Sequence, residues 1–165
     1  DIDHMYMGMI ERNVKHIKIG VLGNHDYEGD LEYFNINNVN KETVLFGDVS
    51  IAGLQGSIKY KDGGYPAYTD IQSAMIMRNM DKADILITHS PPKGIHDKDD
   101  LPHQGLLGIK DYIETSKPKY AIHGHVHTNE ITKLDKTIII SVYGGIILDY
   151  DSGNIENVLE LHWKQ

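Results

Sequence analysis

The chain is 165 residues long, 40% hydrophobic and 24% charged, with 16 Gly and 5 Pro, a composition that suits one compact domain able to bury its own core. Its 24 acidic residues outnumber 16 basic ones to give a formal net charge of -8, which disfavours nucleic acid and anionic lipid as partners while leaving room for a local phosphate site. Cysteine is absent, so disulfides, thiolate ligands and cysteine nucleophiles are excluded, and any transition metal must sit on nitrogen and oxygen donors.

In chain order, Met5, Met9, Ile10 and Val14 recur at near-helical spacing and predict a helix over 5–15, and the β-rich run 17–22 reads as a buried strand ending at Gly23. After a polar stretch, the apolar runs 43–46 and 49–54 flank Gly47-Asp48, a two-residue hairpin signal in reversed order. Residues 59–66 read as loop. Residues 69–80 read as a helix capped by Thr69 or Asp70, with Ile71, Ala74, Met75 and Met77 as apolar positions and Met75, Met77 and Met80 as core filler. A second buried strand, 85–88, runs into Pro91-Pro92 and a polar loop that lasts to residue 104. A helix over 105–116, facing inward through Leu107, Ile109, Tyr112 and Ile113, precedes a third strand at 120–122. Beyond Thr128 only strands are predicted, at 130–134, 137–142, 145–150 and 157–163, forming an antiparallel meander. No run approaches the roughly 18 apolar residues of a membrane span, and no repeat or linker marks a second domain, so residues 1–165 are expected to form one.

Three polar clusters follow predicted strands, the position where open α/β sheets place ligands. They are Gly23-Asn24-His25-Asp26, Thr88-His89-Ser90 and His123-Gly124-His125-Val126-His127. One histidine after a strand is ordinarily a loop or packing residue; five in three such clusters point to a shared site. His125 and His127 are two apart, so in a tight glycine-containing loop both imidazoles can face one point, as nitrogen-ligand metals need. His4, His16, His96 and His162 read as ordinary.

Gly23-Asn24-His25-Asp26, Thr88-His89 and Gly124-His125-Val126-His127, in that order, resemble the later motifs of the calcineurin-like metallophosphoesterases. That family's full pattern runs Asp-x-His, Gly-Asp-x-x-Asp, Gly-Asn-His-Asp/Glu, His, Gly-His-x-His. The resemblance implies an α/β fold in which a two-sheet β-sandwich is flanked by helices. It also implies hydrolysis of a phosphodiester or small phosphorylated metabolite by hydroxide bridging two divalent ions, manganese first, with Fe, Zn, Co or Ni as alternatives. Carried over residue by residue, Asn24, His89 and His125 would ligate one metal and His127 the other, with Asp1 bridging them. His25 would be the non-ligand acid, and Asp26 either orients its imidazole or caps a turn. The Thr88-His89-Ser90-Pro91-Pro92 form and His103-Gln104-Gly105 before a helix are similar to the small single-domain phosphodiesterases of the family, which makes His103 either a substrate contact or a surface-loop residue.

The opening Asp-x-His motif has no counterpart in the chain. Its absence predicts either that the first strand is missing and the chain is N-terminally truncated, or that the site has decayed in a binding or scaffold module on the same fold. A nuclease and a purely structural metal site at His89, His125 and His127 are further rivals. The expected partner is a small phosphate ester, the expected setting the cytoplasm, and the oligomeric state stays open.

Overall fold

The computed structural model describes residues 2–159. Helix α1 (His4–Asn13) starts where the Asp3 carboxylate accepts the Met5 N–H at 2.8 Å, and it leads into β1 (Ile19–Gly20). The single turn α2 (Asp30–Tyr33) precedes β2 (Asn37–Asn38), which pairs parallel with β1. Strands β3 (Thr43–Phe46) and β4 (Val49–Leu54) form the expected antiparallel hairpin across Gly47-Asp48, with Gly47 at φ 60 in the left-handed conformation such a turn requires. The short β5 (Ser57–Ile58) and β6 (Ala67–Tyr68) pair parallel. Helix α3 (Asp70–Arg78) opens with a capping box: Thr69 Oγ1 accepts the Gln72 N–H at 3.2 Å and Gln72 Oε1 accepts the Thr69 N–H at 2.9 Å.

Strand β7 (Ile85–Thr88), helix α4 (Leu107–Ser116) and strand β8 (Tyr120–His123) make a β-α-β crossover, and α4 stops at Lys117, which adopts φ 52 just before Pro118. Strands β9 (Glu130–Leu134), β10 (Thr137–Ser141), β11 (Gly145–Leu148) and β12 (Ile155–Leu159) follow. The six-stranded sheet has the order β3-β4-β7-β8-β10-β9, parallel from β4 to β10 and antiparallel at both edges. The expected α/β class is borne out. No helix among the described residues is long and apolar enough to cross a membrane.

Helices α3 and α4 cover one face of this sheet, where Ala52, Leu54, Leu86, Ala121 and Ile139 meet Met77, Ile109, Tyr112 and Ile113. The Asp84 carboxylate takes the Ser50 N–H at 2.8 Å and the Ser50 hydroxyl at 2.6 Å, joining the starts of β4 and β7; those hydrogen bonds hold its pKa below the usual carboxylate range. A smaller cluster of Met7, Leu22, Leu31 and Phe34 secures the N-terminal helices.

Three expectations are corrected. Of the strand expected over 17–22, only β1 is regular, and it pairs with β2 outside the main sheet. The segment instead leans on Gly53, where a Cβ would sit 2.9 Å from Val21 Cγ1 and 2.7 Å from Val39 Cγ2, and Leu22 O accepts the Gly56 N–H at 2.8 Å. The meander breaks between β10 and β11, because β8 and β9 already occupy both edges of β10 and leave β11 to pair with β12. Of the strand expected over 157–163, the part beyond Leu159 lies outside the described residues. Finally, Ile71, Met75 and Leu107 are exposed at 73%, 63% and 37%, since the inward stripe of α3 runs through Ser73, Ala74 and Met77 and Leu107 is the first residue of its helix.

The two helices touch through Gly108, whose N–H donates to Ser73 Oγ at 3.1 Å; a Cβ there would lie 2.3 Å from the Ser73 carbonyl carbon and oxygen. Gly108→Ala is therefore expected to push α3 and α4 apart and cost on the order of 1–3 kcal/mol, measured by urea unfolding. Unchanged stability would show that the interface is looser than this packing.

Candidate functional site

The register aligns Leu54, Thr88, His123 and Ser141 across the carboxyl ends of the parallel strands. The chain leaves these strands at one height. The His89 N–H reaches Leu54 O and the Gly124 N–H reaches His89 O, both at 3.2 Å. Into this row the 23–26 turn brings Asn24, whose Oδ1 accepts from His89 Nε2 at 2.8 Å; both side chains are buried. The His125 ring lies 4.6 Å from that of His89, and the His103 ring 5.1 Å from that of His125. Four of the residues singled out from sequence thus form one assembly.

The Gly124-His125-Val126-His127 segment is shaped by its one apolar member. Val126 is fully buried, and its N–H turns back to Gly124 O at 2.9 Å. That leaves His125 at φ 70 and His127 at φ 54, left-handed conformations costing on the order of 1 kcal/mol or more each that persist only where the surroundings enforce them. His125 Nε2–H donates to Pro102 O at 2.7 Å, so its lone pair sits on Nδ1. His127 stands at the exposed rim with its ring 4.9 Å from that of Tyr143. Asn129 holds Tyr143 by both backbone groups, accepting its N–H at 2.7 Å and donating to its carbonyl at 3.2 Å.

Asp26 Oδ2 accepts the Gly23 N–H at 2.6 Å, so the turn-capping role is the one this contact displays. His25 is exposed beside it, and both residues lie close enough for their charges to act on His89. Asp1 falls outside the described residues. Sequence reasoning did not reach the Pro102 carbonyl or Tyr143, and it read Asp100 only as part of the polar loop, whereas its Oδ2 lies 2.5 Å from His103 Nδ1. Only the Asp100-x-x-His103 spacing carried a local signal for that pair.

Burial keeps these imidazoles neutral. Desolvation pushes His89 down to about 3 and His123 and His125 to about 4, with neighbouring histidines adding to the effect at His125; His127 is lowered for the same reason. Neutral imidazole and amide oxygen are suitable donors for a borderline divalent metal, and Asn24, His89 and His125 fit one such ion in donor type. Among the described residues no group of three or more His, Asp and Glu side chains gathers closely enough to hold an ion, so the donor set for one ion depends on the Asn24 amide. For a second ion His127 is the one expected donor described.

Residues 1–129 match the calcineurin-like phosphoesterase family. The chain belongs to that family, whose members generally bind two divalent metals and hydrolyse phosphoesters. Among solved structures, one crystal structure superposes with a TM-score of 0.68 at 18% identity, covering 93% of this chain and 70% of the other. TT1561 of Thermus thermophilus superposes with a TM-score of 0.63 at 14% identity, covering 94% of this chain and 79% of its own. Both likenesses are of fold. Among curated proteins none matches.

Because the folded pKa values of His89, His123 and His125 lie below the unfolded value of about 6.5, their contribution is complete above that pH and is lost as pH falls toward 4. That loss weighs against a total stability of only about 5–15 kcal/mol for a domain of this kind. The metal-free protein is expected to unfold between pH 6 and 4 when followed by circular dichroism. A melting temperature flat across that window would refute the neutral cluster.

Proposed function

We propose that this protein is a metal-dependent phosphoesterase that hydrolyses a phosphodiester or small phosphorylated metabolite in the cytoplasm. The observation that carries the reading is the meeting of Asn24, from the 23–26 turn, with His89 and His125, which follow the aligned ends of β7 and β8, the two imidazoles being kept neutral by burial. These three would hold one divalent ion, manganese first and Fe, Zn, Co or Ni as alternatives, and His127 and Asp1 would serve the second. Bound there, the ions would supply neutralisation of phosphoryl charge, a lowered pKa for water and a local potential opposite to that of a chain of net charge -8.

The chain's own groups then do the remaining work. His25, exposed beside the assembly, donates a proton to the departing oxygen, and the Asp26 carboxylate restrains the turn that carries it. His103 contacts the substrate from the loop opposite. A scaffold has no need of an exposed proton donor next to three converging ligands.

The test is hydrolysis of bis-p-nitrophenyl phosphate and p-nitrophenyl phosphate with added manganese, on this chain and on a version extended upstream. His25→Ala is expected to lower kcat by about 10²–10⁴-fold with manganese binding retained, and His89→Ala to lose both metal and activity. Retained metal binding without turnover of either ester, in either form, would transfer the site to the scaffold reading.

A further inference from the structure

The loop between β7 and α4 converges on one side chain. Asp97 Oδ2 accepts the Gly105 N–H at 3.0 Å, the Lys98 N–H donates to His103 O at 3.1 Å, and Pro102 O accepts from His125 at 2.7 Å. These bonds secure the backbone on both sides of the 3₁₀ turn Leu101–His103. Asp100 occupies the N-cap position of that turn, yet its side chain makes no capping hydrogen bond; its Oδ2 takes the His103 Nδ1–H at 2.5 Å instead. That bond holds the Asp100 carboxyl below the usual range. With Nδ1 engaged, the remaining hydrogen-bonding atom of the ring is Nε2, which has no hydrogen-bond partner among the described residues. The ring itself rests 5.1 Å from His125, tilted by 40°.

We propose that Asp100 is a positioning residue: by taking the Nδ1–H it fixes the His103 ring against His125 and orients the imidazolium form so that its Nε2–H donates to the phosphoryl oxygens of the substrate. The inference rests on the phosphoesterase reading for what Nε2 faces. It also explains why an acidic loop can border an anion site, since Asp97 is engaged by a backbone amide and Asp100 by an imidazole.

The sign of the effect separates this role from general electrostatics. Deleting a carboxylate beside an anion site should tighten phosphate binding, whereas deleting one that orients the binding group should weaken it. Binding of inorganic phosphate to the manganese-loaded protein is measured by calorimetry, alongside KM and kcat for bis-p-nitrophenyl phosphate. His103→Ala and Asp100→Ala are each expected to weaken phosphate binding and raise KM on the order of tenfold, the loss of one charge-assisted hydrogen bond. The double variant should be no weaker than His103→Ala alone, Asp100→Glu should recover most of the loss, and Asp99→Asn, a control for loop charge, should bind as the wild type does. Unchanged or tighter binding in Asp100→Ala, additive losses in the double variant, or no phosphate binding by the wild type would each overturn the inference. Coupled losses in a protein that turns over neither ester would leave it standing and remove the phosphoesterase reading, while normal turnover with uncoupled losses would do the reverse.

Discussion

The register of β7 against β8 is the constraint on which the rest of the site depends. With Thr88 opposite His123, the residues that follow emerge side by side, close enough for the Gly124 N–H to bond His89 O at 3.2 Å. Strand residues alternate faces, so a slip of one position would turn Leu86 and Ala121 away from α3 and α4 and rotate the whole row of strand ends with them. The apolar contacts of Leu86, Ala121 and Ile139 with Ile109 and Ile113 forbid that slip. The core thereby sets the height and direction of the histidines without touching them.

Beyond the strand ends, packing and function oppose each other within four residues. Val126 has to be buried, and burying it forces both flanking histidines into left-handed backbone. Histidine tolerates that region better than a β-branched residue does. The Pro102 carbonyl then chooses which nitrogen of His125 carries the proton, leaving the other available. Strain and tautomer are therefore set by two neighbours, one apolar and one a backbone oxygen, neither of which performs chemistry.

Much of this was legible from the residues. Strands β7 and β8 announce themselves because each is a short apolar run stopped by proline or glycine, and α3 because Thr69 and Gln72 form a cap that local sequence alone completes. The clusters around His89 and His125 were legible for the same reason, since each follows such a strand, whereas Asn24 stands four residues beyond β1 in a turn. What failed was everything decided by a distant partner. Nothing near Ile19 reveals that Asn37 rather than the main sheet will pair with it, and nothing near Gly145 reveals that both edges of β10 are taken. Tyr143, Pro102 and Asp100 reach the site through loop closure, which leaves no period in the sequence. Asp26 shows the intermediate case: two roles were open, and the Gly23 amide at 2.6 Å supplies the partner for the capping one.

The electrostatics follow one logic throughout. A chain of net charge -8 places five histidines near its strand ends, and burial strips charge from the innermost of them. Three nearby carboxylates are engaged by local donors, Asp26 by Gly23, Asp97 by Gly105 and Asp100 by His103. A charge held by a short hydrogen bond to its own loop projects less field than one free to turn outward. The floor of the site is consequently close to neutral and rich in lone pairs, while the protein around it is acidic. Such a floor would attract a divalent cation through its donors rather than through net charge and would leave the cation's charge largely uncancelled, which is what the proposed anionic substrate would require of a protein whose overall charge repels it.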